Sequence, residues 1–347
     1  MILQTNHVKW ALSLMVKTQS SVLPILDNVL IEASNGNVTF TSTDLKTTVS
    51  VKVAGDGDLK MCLDTKLLTA TISSLDDQQF DISIDDHTAI IKTTKGVYKM
   101  PVSDHNDYPA PGFSEKYTLV SFSELLPKLS KATNYTSTDE LRMAMTGIYV
   151  NFSDGLICAT DAHKLFLANI EKEGTIEGEK IISADVVNIL SRINNFDILG
   201  IALTDRSIDF MCGDVRIKTT LIDAKYPNFK AIIPNTSNYN VKINRKALID
   251  SIKRVKLYTG TTNRVDLSFT QFDLTVSAEN IDFSQECKEV IECVSNGDIE
   301  ISLSSLNLLT MLNTFTDDEV ELYLEAPNKA MLLKNGTDLA MAMPVIK

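Results

Sequence analysis

Hydrophobic positions along the chain change period in a repeating order. Val8, Ala11, Leu12 and Met15 recur at helical spacing, as do Leu125, Leu126 and Leu129. Leu248, Ile249, Ile252 and Val255 do the same within Arg245–Leu257. Each helix belongs to a segment that opens with a strand and closes with a hairpin: Met1–Val53, Tyr117–Ile170 and Tyr239–Val294. A second kind of segment follows each, again strand, helix, then strands ending in a turn. Its helices are predicted near Thr65–Leu75 (Leu67, Leu68, Ile72, Leu75), Ala184–Ile193 (Val187, Leu190, Ile193) and Ser304–Phe315 (Leu308, Met311, Leu312, Phe315). Asp64, Ser183 and Ser304 stand at their starts, where a short polar side chain can accept a bond from a free backbone N–H.

Between helices the period drops to two. Val49/Val51/Val53, Phe80/Ile82/Ile84, Val265/Leu267/Phe269, Ile299/Ile301/Leu303 and Val320/Leu322/Leu324 alternate with polar residues, the pattern of half-buried antiparallel strands. Asn35-Gly36, Asp154-Gly155, Asn296-Gly297 and Asn335-Gly336 read as hairpin turns. Tyr108-Pro109 and Tyr226-Pro227 mark equivalent points in the first two copies. The predicted fold is α+β, with three similar domains at 1–117, 118–238 and 239–347, each a pair of helix-plus-antiparallel-sheet repeats. Such units can tile a ring with helices inside and sheets outside. Three of them make half of a six-unit ring, and a homodimer would close it. Periodicity alone does not establish closure.

Composition agrees with a multidomain globular chain: 347 residues, 44% hydrophobic and 22% charged. No stretch of 18 or more apolar residues occurs, and the N-terminus lacks the basic-then-apolar order of a secretory signal. The expectation is a cytoplasmic protein without membrane partners. Five scattered cysteines, Cys62, Cys158, Cys212, Cys287 and Cys293, form no C-x-x-C pair, so neither a disulfide framework nor a zinc ribbon is expected. A formal net charge of −12 argues against tight adhesion to nucleic acid. It is compatible with a protein held on DNA by topology, whose inner face alone need be basic.

The helices carry that basic face. Lys246, Lys253 and Arg254 lie roughly opposite Leu248, Ile252 and Val255, and Lys9, Lys66, Lys128, Lys131 and Arg192 are also helix-borne. Acidic residues collect in loops such as Asp76-Asp77, Asp85-Asp86 and Asp317-Asp318-Glu319. For each cation, a lining position and an ordinary solvated face remain alternatives. Leu257 falls on the polar side of its helix and precedes Tyr258. This marks either a subunit contact or a local hydrophobic contact at the helix end.

Catalytic signatures are weak. Thr160-Asp161-Ala162-His163 places a hydroxyl, a carboxylate and an imidazole close in sequence, but no G-x-S-x-G elbow presents a nucleophile. His7, His87, His105 and His163 lie far apart, and the acids near His87 and His105 fit no metal motif. No Walker A or G-x-G-x-x-G occurs. No catalysis, metal or cofactor is expected. The competing readings are a hydrolase built on Thr160–His163 and an adhesive three-domain scaffold that never closes.

Four stretches in order carry a resemblance. Val22–Leu30 followed by Thr43-Asp44-Leu45, Arg142–Gly147 with Ala159–Leu165, Asp223–Phe229, and Met343-Pro344 near the terminus resemble the bacterial DNA polymerase III β sliding-clamp family over nearly the whole chain. The resemblance implies a non-catalytic processivity factor in DNA replication, a head-to-tail homodimeric ring that slides on duplex DNA without reading sequence. It implies partners that include the polymerase catalytic subunit, the clamp loader and repair polymerases. These would insert short apolar peptides into a pocket formed by Met145, Thr160, Ala162, His163, Lys164, Leu165, Pro227, Ile232, Met341, Met343, Pro344 and Val345. DNA would face Lys9, Lys66, Lys128, Lys131, Arg142, Arg192, Lys246, Lys253 and Arg254. The ring interface would use Tyr108, Leu257 and Tyr258. The chain departs from the family's usual pattern at Ala162 (Gly), Lys164 (Arg), Ala231 (Arg), Gln19-Ser20-Ser21 (Arg), Met143-Ala144 (aromatics) and the tail Val345-Ile346-Lys347.

Overall fold

Among the described residues, one five-element unit, strand–helix–strand–strand–strand, is repeated six times. The computed structural model describes residues 1–16, 23–109, 112–171, 176–193 and 196–345. Gln19-Ser20-Ser21, Val22 and the Ile346-Lys347 end of the tail lie outside them. The first pair of units is β1 (Ile2–Gln4), α1 (Thr5–Ser13), β2 (Asn28–Ser34), β3 (Asn37–Thr43), β4 (Thr47–Ala54), then β5 (Leu59–Asp64), α2 (Thr65–Ser73), β6 (Gln79–Asp85), β7 (Thr88–Lys92), β8 (Val97–Pro101). The second is β9 (Thr118–Ser121), α3 (Phe122–Thr133), β10 (Gly147–Asn151), β11 (Leu156–Thr160), β12 (Lys164–Asn169), then β13 (Glu179–Ser183), α4 (Ala184–Leu190), β14 (Ile198–Leu203), β15 (Ser207–Cys212), β16 (Val215–Thr220). The third is β17 (Tyr239–Asn244), α5 (Arg245–Val255), β18 (Arg264–Phe269), β19 (Asp273–Asn280), β20 (Gln285–Ser295), then β21 (Ile299–Ser304), α6 (Ser305–Asn313), β22 (Glu319–Leu324), β23 (Met331–Asn335), β24 (Asp338–Ala342).

Within each pair the opening strands are exchanged. β1 pairs with β6 and β5 with β2; β9 pairs with β14 and β13 with β10; β17 pairs with β22 and β21 with β18. Every sheet is antiparallel, and its apolar face is the alternation read from the sequence. Val49, Val51, Val265, Leu267, Leu303 and Leu322 are completely buried. Each such side chain contributes roughly 1.5–3 kcal/mol by leaving water.

By compactness the chain divides into two units. The first holds Met1–Leu126 with Asp185–Leu221, and the second Pro127–Ala184 with Ile222–Lys347. In the first, the strand order β5-β2-β3-β4-β16-β15-β14-β9 makes one sheet and β1-β6-β7-β8 another, and α1 packs on α2. In the second, one sheet runs β13-β10-β11-β12-β24-β23-β22-β17-β20-β19-β18-β21, and α5 packs on α6. Sheets therefore continue across the sequence repeats, through β4–β16 in one unit and β12–β24 in the other.

Local chemistry explains the helix ends. Asp64 accepts from Leu67 N at 2.6 Å, Asn244 from Ala247 N at 2.9 Å and Ser304 from Asn307 N at 3.5 Å. Leu248, Ile249, Ile252 and Val255 are all buried. Two expectations are corrected. Leu67, read as part of the buried stripe of its helix, is 48% exposed, because α2 turns only Leu68 and Ile72 fully inward. Asn296-Gly297 is not a hairpin turn; it joins β20 to β21, which are not neighbours in the sheet. Asn35-Gly36 is one, with both residues at positive φ (52° and 74°), as a two-residue hairpin loop requires. Among the described residues no helix is long and apolar enough to cross a membrane. All five cysteines are free thiols, and four are buried.

Candidate functional site

The second unit gathers the residues expected to form a peptide pocket, and a three-residue turn organises them. Asp161, Ala162 and His163 connect β11 to β12, with Thr160 opposite Leu165 in the ladder. Thr160 Oγ1 donates to Lys164 O at 2.7 Å and accepts from Ala162 N at 3.1 Å. Asp161 Oδ1 accepts from both His163 N and Lys164 N at 2.8 Å, and its Oδ2 pairs with Lys164 Nζ at 2.9 Å. This pair is mostly hidden from solvent. The turn forces Ala162 to φ 78°, a left-handed conformation that costs a residue with a Cβ about 1–2 kcal/mol.

The tail is built onto this turn. β24 pairs with β12, Met343 N donates to His163 O at 2.8 Å, and Val345 N donates to Ser302 O at 2.8 Å. Pro344 bridges to Leu303. Met343 and Pro344 are half-buried and Val345 is exposed, so the tail presents its side chains while its backbone is held.

Beneath lies an apolar floor. Cys158, Leu165, Phe229, Leu332, Leu339 and Met341 are buried together, with Met343, Tyr149 and Tyr226 packed against them. Tyr149, Tyr226 and Phe229 form a ring cluster, with centroids 5.1 Å, 5.6 Å and 6.2 Å apart. Burial pushes the Tyr226 hydroxyl and the Cys158 thiol upward. The Tyr149 hydroxyl rises to about 12, first from burial and then from its 2.5 Å bond to Glu179. These groups stay protonated and neutral, so the floor carries no charge.

Of the expected pocket residues, Thr160, Leu165 and Met341 are buried. Met145, Lys164, Pro227, Met343 and Pro344 are half-buried, and Ala162, His163, Ile232 and Val345 are exposed. Leu165, Met341 and Met343 meet in the apolar cluster. Tyr149, Tyr226, Phe229, Leu332 and Leu339 were missed. Tyr226 and Phe229 lay within a stretch that carried the resemblance, so a signal existed. Leu332 and Leu339 join only through the β12–β24 pairing.

The helix-borne cations divide in two. Lys9 Nζ donates to Leu75 O at 2.5 Å, Lys128 Nζ to Asn169 O at 2.6 Å and Arg192 to Ser13 O at 3.0 Å. Lys131 stands 5.2 Å above the Phe315 ring. Arg142 pairs with Asp139 at 3.5 Å, and Arg254 makes two 2.7 Å bonds to Glu289, which hold that carboxyl below its usual range. Lys66, Lys246 and Lys253 are exposed, with no side-chain partner among the described residues.

The interface residues also divide. Leu257 is 78% exposed and Tyr258 39%, on a short turn beside β19 and β20. Tyr108 is only 6% exposed; it packs with Leu30 and Cys62, and its hydroxyl donates to Asn28 O at 3.2 Å. Within the single chain it is therefore a largely enclosed residue, unlike Leu257 and Tyr258.

Three family models match in sequence order: the N-terminal domain of the DNA polymerase III beta subunit over residues 4–111, its central domain over 122–228 and its C-terminal domain over 230–346. A beta sliding clamp of Rickettsia felis is 27% identical, with 95% of this chain and 94% of that protein aligned. One from Bacillus subtilis is 25% identical over 92% of this chain and 90% of its own length. Among solved structures, the DNA polymerase III beta subunit of Thermotoga maritima superposes with a TM-score of 0.90 at 21% identity, covering 100% of this chain and 99% of its own. That likeness concerns the fold.

Proposed function

Because this chain belongs to the DNA polymerase III beta subunit family, we propose that it is a DNA sliding clamp, a homodimeric ring around duplex DNA that tethers other proteins and catalyses no reaction itself. The reading keeps three domains per chain, at 1–117, 118–238 and 239–347. It places the protein in the cytoplasm, where it would serve the polymerase catalytic subunit, clamp loader and repair polymerases.

The observation that carries closure is an inventory of sheet edges. Each repeat ends in an outer strand, and these are β4, β8, β12, β16, β20 and β24. Two couples are joined within the chain, β4 with β16 and β12 with β24. Among the described residues, β8 is paired only with β7, and the Gln285–Glu292 stretch of β20 only with β19. An open strand edge is a template for another strand. Joining β8 of one protomer to β20 of its partner repeats the arrangement already used twice and leaves neither edge open. Such a head-to-tail contact closes when the rotation it imposes completes a circle. Charges support the match, with Lys99 exposed on β8, Lys92 exposed at the end of the adjoining β7, and Glu286 and Glu292 exposed on β20. Leu257 and Tyr258 stand on the turn that contacts β19 and β20.

The site around the Asp161–His163 turn suits a short apolar peptide, with an uncharged floor, a Met-lined rim that adapts to several side chains, and backbone groups for orientation. On the DNA side, Lys66, Lys246 and Lys253 have charge free for phosphates. The other helix-borne cations keep internal partners, so DNA would be retained chiefly by encirclement.

Light scattering tests the ring. Wild type should show twice the chain mass at micromolar concentration, and Leu257→Asp/Tyr258→Asp should show the single-chain mass with unchanged circular dichroism. A monomeric wild type, or a variant that stays dimeric, would refute closure at this seam and favour an open scaffold.

A further inference from the structure

The turn that organises the peptide site occurs twice. In the first unit, Asp44, Leu45 and Lys46 connect β3 to β4, and Thr43 faces Thr48 as Thr160 faces Leu165. Thr43 Oγ1 donates to Thr47 O at 3.1 Å and accepts from Leu45 N at 3.1 Å. Asp44 Oδ1 accepts from Lys46 N at 2.9 Å and Thr47 N at 2.6 Å. Leu45 has φ 71°, as Ala162 has 78°. Thr220 N donates to Lys46 O at 2.9 Å, as Met343 N does to His163 O at 2.8 Å.

The floors under these matching turns differ. Strand register aligns Leu165 with Thr48, Cys158 with Thr41, Met341 with Lys218, Leu339 with Arg216 and Leu332 with Asp209. The first copy is thus polar where the second is apolar. It is also covered. Asp209 is fully buried, and its Oδ2 accepts from Ser114 N at 2.7 Å. Lys218 lies 4.0 Å from Asp209 Oδ1 and donates to Gly112 O. Both partners, Gly112 and Ser114, belong to the linker that leads into β9.

We propose that Asp209 seats the chain's own linker, residues 112–117, on the first copy of the peptide site and thereby closes that copy to partner peptides. This rests on the peptide-site reading above. A carboxylate without solvent needs donors, and the linker amide supplies one. An apolar peptide would have to displace that bond and leave the charge buried without it, whereas at Leu332 no such penalty exists. Asp209 acts as a positioning residue, and it makes two copies of one architecture unequal.

Two measurements on the full chain test this. Hydrogen exchange at the Ser114 amide should be slow in wild type and faster by roughly ten- to a hundredfold in Asp209→Asn, where a neutral acceptor replaces a charged one. Exchange in α5 and α6, in the other unit, should not change. A Ser114 amide that exchanges as fast as Glu115 and Lys116, or one indifferent to Asp209→Asn, would overturn the proposal. A fluorescent pentapeptide ending in Leu-Phe should bind at one site per chain in wild type and at none in a chain lacking Met343–Lys347. Peptide retained by the truncated chain would also overturn it. No binding to wild type, with Ser114 protected and responsive to Asp209→Asn, would sink the peptide-site reading while supporting the linker seat.

Discussion

The twin turns allow one prediction to be internally controlled. Asp161→Ala removes acceptors for two backbone N–H groups, at 2.8 Å each, and the partner of a largely hidden Lys164 ammonium. The two bonds are worth about 1 kcal/mol each net. Stranding the partly exposed lysine adds about 1 kcal/mol, discounted for its residual contact with water. The expected loss is about 3 kcal/mol in the second unit. Asp44→Ala removes the same two backbone bonds in the first unit, but Asp44 is exposed and pairs with no lysine among the described residues, so the loss is about 1–2 kcal/mol. Function should separate the variants completely. His163 O holds Met343 N, so loosening the turn loosens the tail that rims the apolar floor. Peptide affinity should fall at least about tenfold in Asp161→Ala, equivalent to about 1.4 kcal/mol, and remain at the wild-type value in Asp44→Ala. Urea unfolding and fluorescence anisotropy measure the two effects. The reasoning fails if Asp161→Ala is within about 0.5 kcal/mol of wild type, inside the range of ordinary surface substitutions. It fails equally if Asp44→Ala weakens the peptide as much.

Two further predictions follow from titratable groups. Burial pushes the Cys62 thiol up to about 12 and Cys212 up to about 11, and raises Cys158 and Cys293, whereas Cys287 is half-exposed on β20. Ellman's reagent at pH 8 should therefore titrate one fast thiol per chain, lost in Cys287→Ser and slowed as concentration drives ring closure over β20; a fast phase that survives Cys287→Ser contradicts this. Glu289 has its carboxyl held low by Arg254, so the clasp between α5 and β20 stabilises fully above the unfolded carboxyl value of about 4.3 and is lost as pH falls through the lower folded value. Hydrogen exchange in β20 should accelerate below about pH 4 in wild type, and Arg254→Ala should abolish that acid-dependent step.

Local patterns were legible and distant partners were not. Helical spacing located α5 and α6, and short polar residues marked caps at Asp64 and Ser304, because these signals act within a few residues. The exposure of Leu257 was readable from its place on the polar face. A helical wheel could not reveal that Lys9 reaches Leu75 or that Arg192 reaches Ser13, since each long side chain finds a carbonyl far along the chain. The burial of Tyr108 was hidden for the same reason, its hydroxyl being bound to carbonyls of Asn28 and Thr41. The peptide site was legible at its turn and tail, but its floor depends on β12 meeting β24, a register no local period encodes. Asp209 gave no sign of burial, because an aspartate in an alternating strand reads as solvent-facing until its partners are known.

The exchange of opening strands also sets the grain size of this architecture. A lone half would lack the first strand of its own sheet and carry one with nowhere to go. Truncation or duplication at a half boundary therefore breaks the two exchanged ladders inside a pair, whereas a cut between pairs breaks only an outer-strand ladder such as β4–β16 or β12–β24. Duplication of a whole pair therefore disturbs fewer ladders than duplication of a half. Among the described residues there are three such pairs, and within each the exchange of opening strands ties the two halves into one unit.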